Sequence, residues 1–226
     1  SAAVLTRAVL NNGVAAFTVV PFRFGVALVV ILTVSIFWAR FRDLDRRHWV
    51  RGFWLGGVAL AIPNTLFTMG LVELPVSLSG LMVALIPSAT VGAAHFLVEG
   101  ERFNPKSIPG LILSLIGTGI LVGVGGVTLE GVGNLGLGVT LSLIAVLFAV
   151  IGGALTRRFA IEVGGDGLVV PQFAFATALS LIIALFLDAT PLGDLETSDW
   201  VLHVVLGAFA TAVPFTAFMI EAQANT

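Results

Sequence analysis

Apolar residues run through this chain in long unbroken stretches, and charged residues gather between them. Seven apolar segments result, roughly 15–39, 52–72, 76–98, 107–127, 135–156, 167–187 and 200–220. Each is near the ~20 residues that a helix needs to cross about 30 Å of hydrocarbon. None shows the ~10-residue alternation of a membrane β-barrel strand. Backbone groups find no water inside a bilayer, so each segment is expected to close its hydrogen bonds as a helix.

The pattern also repeats. Residues 49–67 match 200–218 without a gap at nine of nineteen positions, among them Trp49/Trp200, Leu55/Leu206, Gly56/Gly207, Ala61/Ala212 and Pro63/Pro214. Upstream, Leu5-Thr6-Arg7 and Val19-Val20-Pro21 recur as Leu155-Thr156-Arg157 and Val169-Val170-Pro171. Five spans separate equivalent points. An odd number turns the second copy upside down, the arrangement of transporters whose site lies between two inverted halves. The expected fold is an all-α polytopic helical bundle built from two inverted five-helix repeats. Residues 1–127 form the first, with its first helix mostly missing, and 135–226 the second, without its last two helices. The chain is therefore expected to be a seven-span part of a ten-span protein.

Charge adds orientation. Nine of the eleven Lys and Arg lie in every second loop: five in 40–51, then Arg102 and Lys106, then Arg157 and Arg158. The intervening loops carry Glu73, Glu130, and the acids Asp188, Asp194, Glu196 and Asp199. The positive-inside rule predicts that 40–51, 99–106 and 157–166 are cytoplasmic.

Composition agrees and excludes several classes. The chain of 226 residues is 58% hydrophobic and 11% charged, with a mean hydropathy of +1.07. Soluble domains carry about a quarter charged residues, so a bilayer is the expected solvent. Without cysteine there is neither a disulfide framework nor a thiolate metal site. No basic patch suits nucleic acid. Gly131-Val132-Gly133-Asn134-Leu135-Gly136 spells GxGxxG, but it leads into a membrane helix with no βαβ context, which argues against dinucleotide binding. No metal or cofactor is expected.

On these spans, particular residues resemble the EamA-type branch of the drug/metabolite transporter superfamily, ten-helix bacterial exporters. Arg23 in Pro21-Phe22-Arg23-Phe24 looks like the arginine of that family's second helix. Asn64 and Phe67 sit where its third helix runs toward an ending like Gly70-Leu71-Val72-Glu73-Leu74-Pro75. Pro87 is similar to the fourth-helix proline, Gly100-Glu101-Arg102 to the turn entering the fifth, and Gly110, Gly117 and Gly119 to that helix's glycines. Gln172 resembles a glutamine of the seventh helix, and Gly207 with Thr211-Ala212 the eighth. Glu99 and His95 depart from the pattern. The resemblance implies a multi-pass protein of the bacterial inner membrane.

Four residues are candidate substrate contacts: Arg23, Asn64, His95 and Gln172. Arg23 lies six to eight residues into its span, about 10 Å deep at ~1.5 Å per residue. It reads either as an anchor for a substrate carboxylate or other anion or as an arginine that snorkels to the outer interface or ties helix ends together. His95 reads as a substrate contact, a proton carrier or a packing residue. Asn64 follows Pro63, which frees a backbone carbonyl; it answers that defect or lines a cavity. Gln172 follows Pro171 and lines a cavity or bonds between helices. The pairs Pro21/Pro171 and Pro63/Pro214 predict matched kinks, and Gly52-Phe53-Trp54-Leu55-Gly56 predicts close helix approach.

The functional expectation is a secondary exporter of amino acids, other small metabolites or drugs, working by alternating access. Its partners would be the bilayer, a small-molecule substrate, and a coupling proton or exchanged solute; a homodimer stays open. There is no Walker A motif for ATP. The competing classes are an intramembrane enzyme, which would need a nucleophile with its base or a metal cluster, and a channel or structural subunit. The chain is not expected to be an enzyme.

Overall fold

The computed structural model of the chain describes residues 2–38, 44–75, 78–80, 82–83, 86, 89–90, 109–110, 112–113, 116–117, 120, 133–187 and 195–215. All regular elements among them are helical. Helix α1 spans Ala2–Asn11 and α2 Ala16–Trp38. Helix α3, Arg46–Leu55, runs through a π-helical turn at Gly56–Ala61 into α4, Ile62–Glu73. Helix α5 is Leu135–Val163 and α6 Asp166–Phe186. Helix α7, Thr197–Gly207, enters a second π turn at Ala208–Ala212.

Five of these stretches are long and apolar enough to cross a bilayer: Ala16–Ile36, Arg46–Glu73, Leu135–Val163, Asp166–Phe186 and Thr197–Phe215. They correspond to five of the seven segments expected from hydropathy. The other two, 76–98 and 107–127, fall largely outside the described residues, as do Pro87, Gly100-Glu101-Arg102 and Gly119. Large apolar side chains such as Ile36, Leu185, Phe186 and Phe209 point out of the bundle. Such a surface suits hydrocarbon rather than water.

Polar contacts gather at two poles. At one, Arg51 bonds Glu162 (Nη2 to Oε2, 2.5 Å), Arg158 bonds the same carboxylate, and His48 Nε2 lies 2.8 Å from the Val163 carbonyl oxygen. The described parts of segments 40–51 and 157–166 therefore share one end of the bundle. At the other, Asn12 Nδ2 donates to Asp199 Oδ1 (2.7 Å), and the Asn134 backbone N–H donates to Glu73 Oε2 (2.6 Å). Helix α2 starts at this second pole and α6 at the first, so the two run in opposite senses where they pack together.

The repeated sequence takes the same local form in both copies. Proline has no N–H, and its ring collides with the carbonyl four residues back, so an α-turn cannot pass through it unchanged. Both copies widen the turn just before the proline. Ahead of Pro63, the Ile62 N–H bonds the Gly57 carbonyl; ahead of Pro214, the Val213 N–H bonds that of Ala208. Both are bonds to the fifth residue back. The helix starts match too. The Asp45 N–H donates to His48 Nδ1 (3.2 Å), and the Glu196 N–H to Asp199 Oδ2 (3.1 Å), each side chain sitting three residues into its helix. Matched proline breaks at Pro63 and Pro214 thus take the form of π turns, whereas Pro21 and Pro171 lie within continuous helix.

Close approach at glycine holds the bundle together. A Cβ on Gly56 would stand 2.6 Å from the Gln172 carbonyl oxygen and 2.9 Å from the Ala176 nitrogen on α6. Its repeat partner Gly207 would place one 2.8 Å from the Arg23 carbonyl oxygen, against Val26 of α2. Gly52 meets Pro171 in the same way, so the GxxxG pair faces α6. Between these contacts Val20, Phe24, Ala27 and Ile31 of α2 interlock with Val169, Val170, Phe173 and Ala176 of α6, with the Phe24 and Phe173 ring centroids 5.9 Å apart.

Adding a methyl at Gly56 or Gly207 forces backbone apart. Gly56→Ala and Gly207→Ala should each destabilise the bundle by about 1–3 kcal/mol. Gly13→Ala is a strain control: its φ of +86° disfavours a side chain, but a Cβ there meets open space. Unfolding in detergent micelles should therefore show the first two substitutions loosening the α2–α7 and α3–α6 contacts, as read by cross-linking, while the third leaves those contacts unchanged.

Candidate functional site

The second turn of α2 puts Arg23 inside the bundle. Its Nε donates to Thr211 Oγ1 (2.7 Å), in the π turn after α7, and its Nη1 donates to Asn64 Oδ1 (3.0 Å), at the start of α4. The guanidinium thus joins both copies of the repeated stretch. Among the described residues no carboxylate stands within ion-pair distance of it.

Both acceptors are positioned by the π turns. Asn64 Nδ2 donates to the Leu60 carbonyl (2.8 Å). That bond spends the amide N–H on the widened turn and aims Oδ1 at Arg23. Thr211 Oγ1 donates to the Leu206 carbonyl five residues back (3.1 Å), which leaves its lone pairs for Nε. Thr68 Oγ1 in turn donates to the Asn64 carbonyl (2.7 Å). Each link in this chain satisfies a backbone group that lipid cannot.

A cavity of about 340 Å³ opens beside the guanidinium. Arg23, Asn64, Thr68 and Thr6 give it polar atoms, and Phe67, Val83, Ile86, Ala145 and Val146 give it apolar wall. It lies between first-copy helices α2 and α4 and second-copy helix α5. Arg23 is partly accessible because it faces this space. It does not snorkel along the lipid surface.

Of the four residues singled out in the sequence, the structure brings Arg23 and Asn64 together at this cavity. For Asn64 the two readings coincide, since the amide that answers the helix defect also lines the wall. Gln172 is 3% exposed and sits six residues into α6 from the opposite pole, where Gly52 and Gly56 press on its backbone. It does not line this cavity. His95 lies outside the described residues. Thr211 went unrecognised as a site residue, although the repeat offers a signal: a threonine stands where the first copy has Leu60, between the matched alanines Ala210 and Ala212. His203 is also buried, its Nδ1 2.6 Å from the Asp199 carbonyl oxygen and its ring 5.1 Å from that of Phe22, away from the cavity wall.

With this arrangement in view, comparison with known proteins is decisive for the family. Residues 1–123 match the EamA-like transporter family. The chain belongs to that family. The match takes in α1 to α4, hence Arg23, Asn64, Thr68 and most of the cavity wall. No curated protein and no solved structure matches the chain. For this EamA-family chain the plain conclusion is a multi-pass membrane transporter.

The Arg23–Thr211 bond should be measurable as coupling. Thr211→Val leaves the buried Nε without its acceptor and should cost about 1–3 kcal/mol. Combined with Arg23→Leu, the two losses should fall short of additivity by about 0.5–3 kcal/mol in a double-mutant cycle of unfolding free energies. Simple additivity would mean the bond does not form.

Proposed function

We propose that the protein is a secondary carrier that exports small metabolites such as amino acids, or toxic compounds, by alternating access between two inverted halves. The observation that carries this reading is the position of the cavity: it lies inside the bundle, walled by both copies, with Arg23 bonded across to each. Membrane carriers of inverted-repeat design bind at such an interface near the bilayer midplane and move one half against the other. The opposite senses of α2 and α6, and the matched π turns, support the inversion. Wide π turns are frequent at functional sites and bend helices, so the two here suit elements that rock. Energy would come from a proton gradient or an exchanged solute.

In this reading the pole of Arg51, Arg158 and Glu162 faces the cytoplasm of a bacterial cell, with loops 40–51, 99–106 and 157–166. The absence of cysteine from the chain makes that testable by labelling. Arg157→Cys should react with an impermeant maleimide only after the membrane is opened, and Glu196→Cys in intact cells. The reverse pattern would invert the assignment.

Transport itself is tested with the full-length protein in proteoliposomes, offered labelled amino acids and a drug panel. A carrier gives saturable flux and accelerated exchange when unlabelled solute is placed on the far side. Flux that rises linearly with concentration and shows no exchange would favour a channel.

A further inference from the structure

The chemistry of the cavity narrows what it takes. We propose that Arg23 binds the carboxylate of a small organic or amino acid there, and that Asn64 and Thr211 hold the guanidinium ready for it; this rests on the carrier reading. A guanidinium has five N–H donors in a planar fork that matches a carboxylate with two parallel bonds. Thr211 uses Nε and Asn64 one N–H of Nη1. Nη2 donates to nothing among the described residues, which leaves it and the second N–H of Nη1 for a ligand beside the cavity.

The charge balance points the same way. Both partners of Arg23 are neutral. They orient the group without cancelling its charge, and an ionised group in a membrane protein normally finds a counter-charge or a wet, functional cavity. A purely structural strut would be better served by an internal carboxylate, as Arg51 has in Glu162 at the pole. The described wall carries a single cation and no acid, so it matches one negative charge. Phe67, Val83, Ile86, Ala145 and Val146 would cover an apolar remainder. The ligand thus presents one carboxylate on a compact apolar body.

Binding also has a mechanical consequence. The carboxylate takes N–H groups that neither Thr211 nor Asn64 uses, so the guanidinium stays bonded to both copies while it holds the ligand. The ligand would thus add to the bond that ties α2 to the π turn of the second copy, so the two copies stay linked at Arg23 when the cavity fills.

The test uses the full-length protein in detergent, with thermal stabilisation read for phenylacetate, phenylacetamide, phenyl phosphate, L-phenylalanine and L-phenylalaninamide. The carboxylates should stabilise and their amides should not. Arg23→Gln should weaken carboxylate binding roughly ten- to hundredfold, and Arg23→Lys should keep part of it. Asn64→Asp guards against a misfolded Arg23 variant: it sets a built-in carboxylate on the guanidinium, which offsets the lost donor to the Leu60 carbonyl, so it should still unfold cooperatively without ligand and weaken phenylacetate by a similar factor. Equal binding of acid and amide overturns the proposal, as does full-strength binding by Arg23→Gln or Asn64→Asp. Preference for phenyl phosphate overturns the carboxylate in favour of a phosphate ester, and no stabilisation by any carboxylate at millimolar concentration overturns it outright. The carrier reading fails separately. Saturable flux blind to the carboxylate leaves transport standing without this ligand, and carboxylate binding without flux leaves the site standing without transport.

Discussion

Inside hydrocarbon, an unanswered backbone carbonyl costs several kcal/mol, and among the described helices four prolines each remove a donor, two of which, Pro63 and Pro214, follow a change of helical register. Most of what is specific about the structure follows from how that deficit is met. Ahead of Pro63 and Pro214 the helix widens into a π turn, and side chains next to each break take up carbonyls: Asn64 for Leu60, Thr211 for Leu206. Having donated inward, each of those side chains turns its oxygen toward the bundle centre, where Arg23 lies between them. The polar centre of the molecule is built from the repair of its backbone.

The two copies share this solution but not its contents. Residue 23 is an arginine, and its repeat partner 173 is a phenylalanine packed against Phe24 and Phe215. Thr211 replaces Leu60, and Phe215 replaces Asn64. The shared parts are the glycines, the prolines and the helix starts, which set where helices meet and where they widen. The differing parts decide what lines the space between them. Within the repeated unit, positions that set the helix contacts coincide and positions that line the space between them differ.

Much of the fold was legible in the sequence because bilayer thickness converts directly into run length. Five of the expected spans reappear with ends shifted by at most seven residues, and the alternation of basic and acidic loops matches the two poles wherever residues are described. The proline pairs announced a break but not its form; a π turn depends on which N–H reaches which carbonyl, and hydropathy is blind to that. At the site, Arg23 stood out because a lone charge in an apolar run is expensive, and Asn64 because it follows a proline. Their meeting could not be read, since it depends on contact between helices 41 residues apart in the chain. Gln172 carried the same kind of signal as Asn64, yet it lies toward the opposite pole. Polarity within a span tells that a group needs a partner, and the packing of helices decides where the partner is.

The π turns carry one residue more than an α-helix of the same rise would need. Successive residues of an α-helix are rotated by about 100°. The widened turn absorbs that extra residue, so losing one from Gly56 to Ala61 would restore an α turn and leave Asn64 and Thr68 close to their present facing, whereas losing one elsewhere in α3 or α4 would swing everything after it by that angle. The same holds for Ala208–Ala212 and the residues that follow. In this protein the two short wide stretches are thus the places where the chain can give up a residue and keep the wall, so chain length should be more constrained in the α-helical parts on either side than within the π turns.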